Sequence, residues 1–256
     1  MKLVVDIGNT NIVVGLKKQK QWVHIWRMHT SKQATELDYN MKLQSVLWEL
    51  GVSPDEIEHK VLSTVVPELK DRFSDLLKKI NSNPVIVLDK NIFKFLDIYI
   101  PSPDEIGSDL VANALAAHHI YHQDMIIIDF GTALTFTVIN KNGKILGVNI
   151  APGLKTALNA LGDKTAQLDT VPLVLPENPL GTNTETAMQN GVLLGYIGLV
   201  SYMVETIKKE VGQSYKVLVT GGLVNVLKHK IPVIDYLNQN LTLEGLALIP
   251  DLLKNN

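Results

Sequence analysis

No cysteine occurs anywhere in the chain. Disulfide scaffolding, thiolate catalysis and cysteine-ligated zinc are excluded together by that one absence. Long apolar runs are missing too, since nothing approaches the ~18 residues that a membrane span needs. Ahead of Asp6 only Leu3, Val4 and Val5 follow Lys2, too few for the apolar core of a signal peptide. Charge of one sign is scarce: the net is −2 and no extended basic run exists, so neither nucleic acid nor a membrane is expected as a partner. Hydrophobic residues at 46% and charged residues at 20% are ordinary for a soluble globular protein, which is expected to be cytoplasmic. The 256 residues suffice for one large or two modest domains.

The first polar motif present is Asp6-Ile7-Gly8-Asn9-Thr10-Asn11, set between the apolar runs Leu3–Val5 and Ile12–Val14. An aspartate closing a buried strand, then glycine, amide and hydroxyl residues, makes a tight polar turn. Gly8 admits close approach of a ligand to the backbone, and Asn9 and Thr10 carry donors suited to phosphate oxygens. A plain hairpin is the alternative, because Gly-Asn is also turn chemistry.

Strands are predicted over 2–6, 11–16 and 21–27, with Lys17, Lys18 and Lys20 on a surface turn. Period-two alternation puts Trp22 and Trp26 on one face of the third strand, as core or interface residues. A long helix is predicted from Thr30 to Gly51, with Leu43, Val46, Leu47 and Leu50 on one face and Leu37, Met41 and Trp48 on a neighbouring stripe, both read as core packing. Gly51 is its stop, and Ser53-Pro54-Asp55-Glu56 a turn or helix start. Strand 61–66, helix 69–80, strand 85–88 and an alanine-rich helix from Leu110 to His122 complete the first half. His118, His119 and His122 lie on that last helix, but no glutamate completes a catalytic zinc motif, so a structural or solvated helix is expected.

At Met125–Ala133 the opening pattern comes back: an apolar strand, Asp129, any residue, Gly131 and Thr132, then another strand. Asn142-Gly143 signals a hairpin into a third strand over 145–150. Helices from 154 to 161 and from Thr184 to Val211, a strand running into Gly221-Gly222, and a closing helix over 245–254 follow. Two copies of strand–Asp-x-Gly–strand–strand, each followed by helical material, predict a duplicated α/β protein with mixed sheets and domains at 1–118 and 119–256. No long linker separates the halves. Facing Asp-x-Gly turns suit a nucleoside triphosphate, with glycine turns at the phosphates and Asp6 and Asp129 as carboxylates for Mg²⁺. The Gly221-Gly222 turn lets a base or ribose lie against backbone. Asp109, after Gly107-Ser108, is either a first-turn aspartate favoured by the helix dipole or the carboxylate that accepts an alcohol proton in phosphoryl transfer.

Asp6–Thr10, Gly107-Ser108-Asp109, Asp129–Ala133, Pro152-Gly153-Leu154, Gly181–Thr184 with Ala187–Gly191, and Thr220-Gly221-Gly222 resemble type III pantothenate kinase, in order and nearly over the full length. The resemblance implies a ribonuclease-H-like, actin-like ATPase fold with a nucleotide cleft between duplicated domains. It implies a homodimer that uses ATP with Mg²⁺ and a monovalent cation, K⁺ or NH₄⁺, to phosphorylate pantothenate in the first step of coenzyme A synthesis. Carried over by position, ATP binding falls on Asp6, Ile7, Gly8, Asn9, Thr10, Asn11, Ile12, Val13 and Thr132. Asp109 is the implied proton acceptor, and Asp129 the ligand of the monovalent cation. The acceptor substrate is assigned to Ile100, Gly107, Ser108, Asp109, Leu110 and Thr184. Three positions depart from the family pattern. Leu110 stands in place of an arginine that would grip the pantothenate carboxylate, Ile100 in place of a tyrosine, with Tyr99 one residue off, and Leu168-Asp169 in place of Leu-Pro. Losing such an arginine contact costs on the order of 1.5–3 kcal/mol. The alternatives are a kinase of this fold for another small alcohol and a non-catalytic nucleotide-binding regulator.

Overall fold

The computed structural model describes residues 1–162 and 171–254; Leu168 and Asp169 lie outside the described residues. The chain forms two compact units, Met1–His119 with the segment from Leu241 onward, and Ile120–Asn240.

In the first unit β1 (Lys2–Ile7), β2 (Asn11–Lys18) and β3 (Gln21–His29) form an antiparallel meander, followed by α1 (Glu36–Glu49). Next come β4 (His59–Thr64), α2 (Pro67–Lys78), β5 (Val85–Val87), the short α3 (Lys90–Phe93) and α4 (Ser108–Tyr121). The sheet order is β3-β2-β1-β4-β5, with β4 parallel to β1. The second unit repeats it: β6 (Met125–Phe130), β7 (Ala133–Ile139), β8 (Ile145–Pro152), α5 (Leu154–Gly162), α6 (Thr184–Val211), β9 (Lys216–Thr220), α7 (Val224–Leu227) and β10 (Tyr236–Leu237), in the order β10-β9-β6-β7-β8. The central strands β1 and β6 are almost continuously apolar, as strands covered on both faces must be. The duplicated α/β architecture with mixed sheets is therefore the observed one.

Several expectations need correction. The last helix α8 (Leu241–Lys254) packs on the first unit, not the second. Its Glu244 accepts from Lys17 and from Trp22 Nε1 at 2.6 Å, Lys2 Nζ reaches Ala247 O at 2.8 Å, and Thr242 donates to the buried Asn113 at 2.8 Å. Lys17 is thus a paired, largely buried strand residue rather than part of a surface turn. Second, Trp22 and Trp26 occupy opposite faces. The β2–β3 register slips between Leu16 and Lys17, so Lys17 faces Trp22 while Leu16 faces His24 and Val14 faces Trp26. One extra residue in β3 reverses side-chain parity beyond it.

Third, α1 begins only at Glu36, capped by a reciprocal Thr35–Asp38 box, because 30–35 is held elsewhere. Thr30 donates from its backbone to Thr10 O at 3.0 Å, and Ser31 N reaches the Tyr39 hydroxyl at 2.9 Å. Fourth, the Leu37–Met41–Trp48 stripe is exposed, at 64%, 63% and 83%, while Tyr39, Leu43 and Leu47 face the core. Among the described residues α6 is long and apolar enough to cross a membrane by length and composition. Its Val192, Leu193, Tyr196, Val200 and Val204 nonetheless belong to the core of the second unit.

Candidate active site

Each unit ends its central strand in an Asp-x-Gly turn. In the first, Gly8 N donates to Asn11 O at 3.0 Å, and Thr30 braces the loop by donating Oγ1 to Gly8 O at 2.7 Å. In the second, Gly131 N donates to Ala133 O at 3.1 Å. The glycine N–H closes the turn in both, and the tips carry Asn9 and Thr132, which are exposed. The Thr132 carbonyl accepts Gly153 N at 2.9 Å and Thr156 Oγ1 at 2.7 Å, which ties the tip to the start of α5.

The aspartates stand at matching register positions. Asp6 lies opposite Ser63 of β4, and Asp129 opposite Thr220 of β9. Beyond Thr220, Gly221 adopts φ +97°, and a Cβ there would lie 2.5 Å from Asp129 Oδ1 and 2.6 Å from Phe130 N. That glycine makes room for the protein's own carboxylate and backbone, not for a ligand. Gly222 is the open member, with nothing within 4 Å of where its Cβ would be.

In the first unit the same register position starts a chain of hydroxyls. Ser63 Oγ donates to Asp6 Oδ1 at 2.9 Å and lies 2.9 Å from Ser108 Oγ. Ser108 Oγ in turn reaches Thr64 O at 3.2 Å. Both serines are buried. Two hydroxyl protons serve three contacts, so they cannot all be hydrogen bonds at once. While Asp6 is ionised it takes the Ser63 proton, and Ser108 must choose between Ser63 and the Thr64 carbonyl. Ser63 was not legible as a site residue, because only the β1–β4 register places it beside Asp6.

Ser108 opens α4, and Asp109 follows it. The Asp109 carboxylate accepts Leu110 N at 2.8 Å, and a Cβ on Gly107 would lie 2.5 Å from its Oδ1, so a side chain there would displace the carboxylate. Burial pushes the Asp109 carboxyl above the usual carboxylate range and outweighs its backbone hydrogen bonds, which pull the other way. A helix-dipole aspartate would be held low instead. Leu110 is 7% exposed and Ile100 8%, so both departures from the family pattern are apolar side chains turned inward, while Tyr99 is exposed. The first unit thus brings together Asp6 to Val13 with Gly107 to Leu110. Asp129, Thr132 and Thr184 belong to the second unit, with Thr184 exposed in the first turn of α6 behind an Asn183 cap.

A family model described as type III pantothenate kinase matches residues 2–206, well over half of the chain. The chain belongs to the type III pantothenate kinase family. Solved structures with the same fold include a Campylobacter jejuni protein described as a conserved Baf family transcriptional activator. It is 20% identical with a TM-score of 0.59, and 99% of this chain and 100% of that one are covered. The activator of 2-hydroxyisocaproyl-CoA dehydratase from Clostridium difficile, with bound ADPNP, is 14% identical at a TM-score of 0.57, covering 99% and 96%. MreB 5 of Spiroplasma citri, bound to AMPPNP, is 11% identical at 0.55, covering 100% and 98%. At such identities these neighbours establish the fold alone, which is that of the actin-like ATPases. Membership in the kinase family rests on the family model.

Proposed function

We propose that this member of the family transfers the γ-phosphoryl group of ATP to the hydroxyl of pantothenate, giving 4′-phosphopantothenate, the first committed intermediate of coenzyme A synthesis. The observation that carries the reading is the hydroxyl chain from Asp6 through Ser63 to Ser108, the residue that precedes Asp109 at the start of α4. Asp6 stands at a phosphate-type turn, and Asp109, next in sequence to Ser108, has a carboxyl made more basic by burial. Phosphoryl transfer depends mostly on positioning and charge stabilisation, with a carboxylate to accept the alcohol proton. Asp109 takes that role, since a raised pKa brings a general base closer to the pH at which it works. ATP is assigned to Asp6–Val13 and Thr132, and the acceptor to Gly107–Leu110, Ile100 and Thr184.

Asp6 and Asp129 are half-buried strand-end carboxylates, hard oxygen donors that fit Mg²⁺ and a K⁺ or NH₄⁺ ion, with Asp129 holding the monovalent one. Such cations neutralise phosphate charge when bound. The protein is proposed to be cytoplasmic and a homodimer. The second unit has apolar surface for a dimer contact, with Leu194 and Tyr202 of α6 at 39% and 68% exposure and Ile150 of β8 at 70%.

The buried Leu110 favours one rival, a kinase of the same fold for another small alcohol. A coupled assay with pantothenate, ATP and K⁺ separates the readings. Turnover with pantothenate supports the proposal, and turnover only with a different alcohol supports the rival. Nucleotide binding without any turnover points to a regulatory homologue.

A further inference from the structure

Between α3 and α4 the chain buries Leu96, Ile98 and Ile100 at 6%, 9% and 8% exposure, while Asp97 and Tyr99 face outward. Buried neighbours on both sides fix the backbone at Asp97. Its exposed carboxylate lies beside the last turn of α4, where His118 and His119 follow one another. Both imidazoles present Nε2 to a single atom: Asp97 Oδ2 is 4.0 Å from His118 Nε2 and 4.0 Å from His119 Nε2. The rings meet edge to face, at 5.2 Å and 78°. One ligand atom from each of the three residues falls within a sphere of mutual distances of 4.8 Å.

At 4.0 Å the two contacts are longer than direct N–H···O hydrogen bonds, which reach only to about 3.2 Å. Neighbouring residues on a helix also diverge by roughly 100°, so two adjacent side chains meeting at one atom is not what helical geometry supplies by default. Ligands of a tetrahedral ion at ~2.1 Å stand roughly 3.4 Å apart. Binding an ion would therefore draw the set inward from mutual distances of up to 4.8 Å, and the Asp97 side chain, 74% exposed, has room to turn.

We propose that Asp97, His118 and His119 bind one divalent first-row transition ion of the Zn²⁺ class. Two imidazoles with one carboxylate suit Zn²⁺, Co²⁺ or Ni²⁺, whereas Mg²⁺ and Ca²⁺ prefer oxygen ligands throughout. Water completes the coordination. The bound ion clips the segment ending at Ile100 to the last turn of α4, whose opposite end carries Asp109. None of the three ligands belongs to the proposed nucleotide or acceptor residues, so the site stands whether or not pantothenate is the substrate.

The test is titration of the chelator-stripped full-length chain with Co²⁺, then Zn²⁺. One ion per chain is expected, with a Kd on the order of micromolar. Co²⁺ should give visible absorption bands, X-ray absorption should show two imidazole nitrogens, and Zn²⁺ but not millimolar Mg²⁺ should displace the Co²⁺. Substitutions Asp97→Asn and His119→Gln should each weaken binding at least about tenfold, since even residues behind a ligand are worth that much. His122→Gln, just past the end of α4 where the backbone turns to φ +53°, should leave affinity unchanged. If the ligand variants fail to fold, the X-ray absorption of the wild-type chain decides alone. No uptake at all overturns the site, and binding that survives in the Asp97→Asn/His119→Gln double variant, a coordination shell without imidazole, or displacement by Mg²⁺ overturns it in favour of an adventitious ion only.

Discussion

The two Asp-x-Gly turns are copies in strand order and register, yet their surroundings differ. In the second unit the residue after Thr220 is Gly221, and the freed space is filled by Asp129 and the Phe130 backbone. In the first unit the matching residue after Ser63 is Thr64, whose hydroxyl bonds Val66 N at 3.0 Å. The side of Asp6 is instead occupied by hydroxyls that run on to Ser108 at the start of α4. One turn is packed by backbone, and the other is joined by hydroxyls to the first residue of α4. A duplication can therefore keep its scaffold and divide its chemistry, because register fixes which positions meet and side chains decide what they do there.

The largest expected effect sits at the wired end. Asp109→Asn should lower turnover by about 10²- to 10⁴-fold, the usual worth of a positioned general base; near-normal turnover would remove Asp109 from that role. The same substitution should raise thermal stability at neutral pH. Because the folded-state pKa of Asp109 is raised, its ionisation opposes folding once pH climbs above the unfolded value of ~3.9. The advantage of the asparagine should fade as pH falls below that value, and the acidic limb of the wild-type pH–rate profile should lie above the ordinary carboxylate range.

The packed turn should answer differently. Gly221→Ala forces a Cβ to within 2.7 Å of the Phe130 backbone at φ +97°, so a stability loss of roughly 2–4 kcal/mol is expected. Thr64→Gly, at the matching place, should cost only about 1 kcal/mol. Equal losses in urea titrations would mean that the turns are packed alike after all.

Ser63→Ala probes the wiring itself. Removing the shared hydroxyl leaves Asp6 without this donor, at about 1–3 kcal/mol. It should change kcat more than the KM for ATP, with Ser63→Thr restoring much of the loss. A fall confined to stability, with kcat intact, would reduce Ser63 to a packing residue.

The smallest contrast is between the braces. Thr30→Ala removes a part-buried bond to Gly8 O and should cost about 1 kcal/mol. Thr156→Ala removes an exposed bond of the same 2.7 Å length to Thr132 O, and should stay within about 0.5 kcal/mol because water takes its place. Matched thermal melts would show whether burial, rather than bond length, sets the difference.

Much of this molecule was written locally. The apolar runs of β1 and β6, the Asp-x-Gly turns, the stop at Gly51 and the full span of α6 all depend on neighbours a few residues away, so pattern alone placed them. The recurrence of one strand–turn–strand–strand pattern likewise determined the duplicated fold, and the motif order determined the family. Tertiary structure decided what depends on distant partners. A one-residue bulge in β3 separated Trp22 from Trp26. The hold of Gly8 and Thr10 on Thr30 delayed the start of α1, and the docking of α8 on Lys2, Lys17 and Trp22 returned the chain's last helix to the first unit. Periodicity said that Leu37, Met41 and Trp48 were apolar but not which face of α1 meets the core. The link from Asp6 through Ser63 to Ser108 spans strand and helix, and the meeting of Asp97 with two histidines spans a loop and a helix end. Hydrogen bonds and metal ligands require proximity in space, and proximity between residues far apart in sequence is what folding supplies.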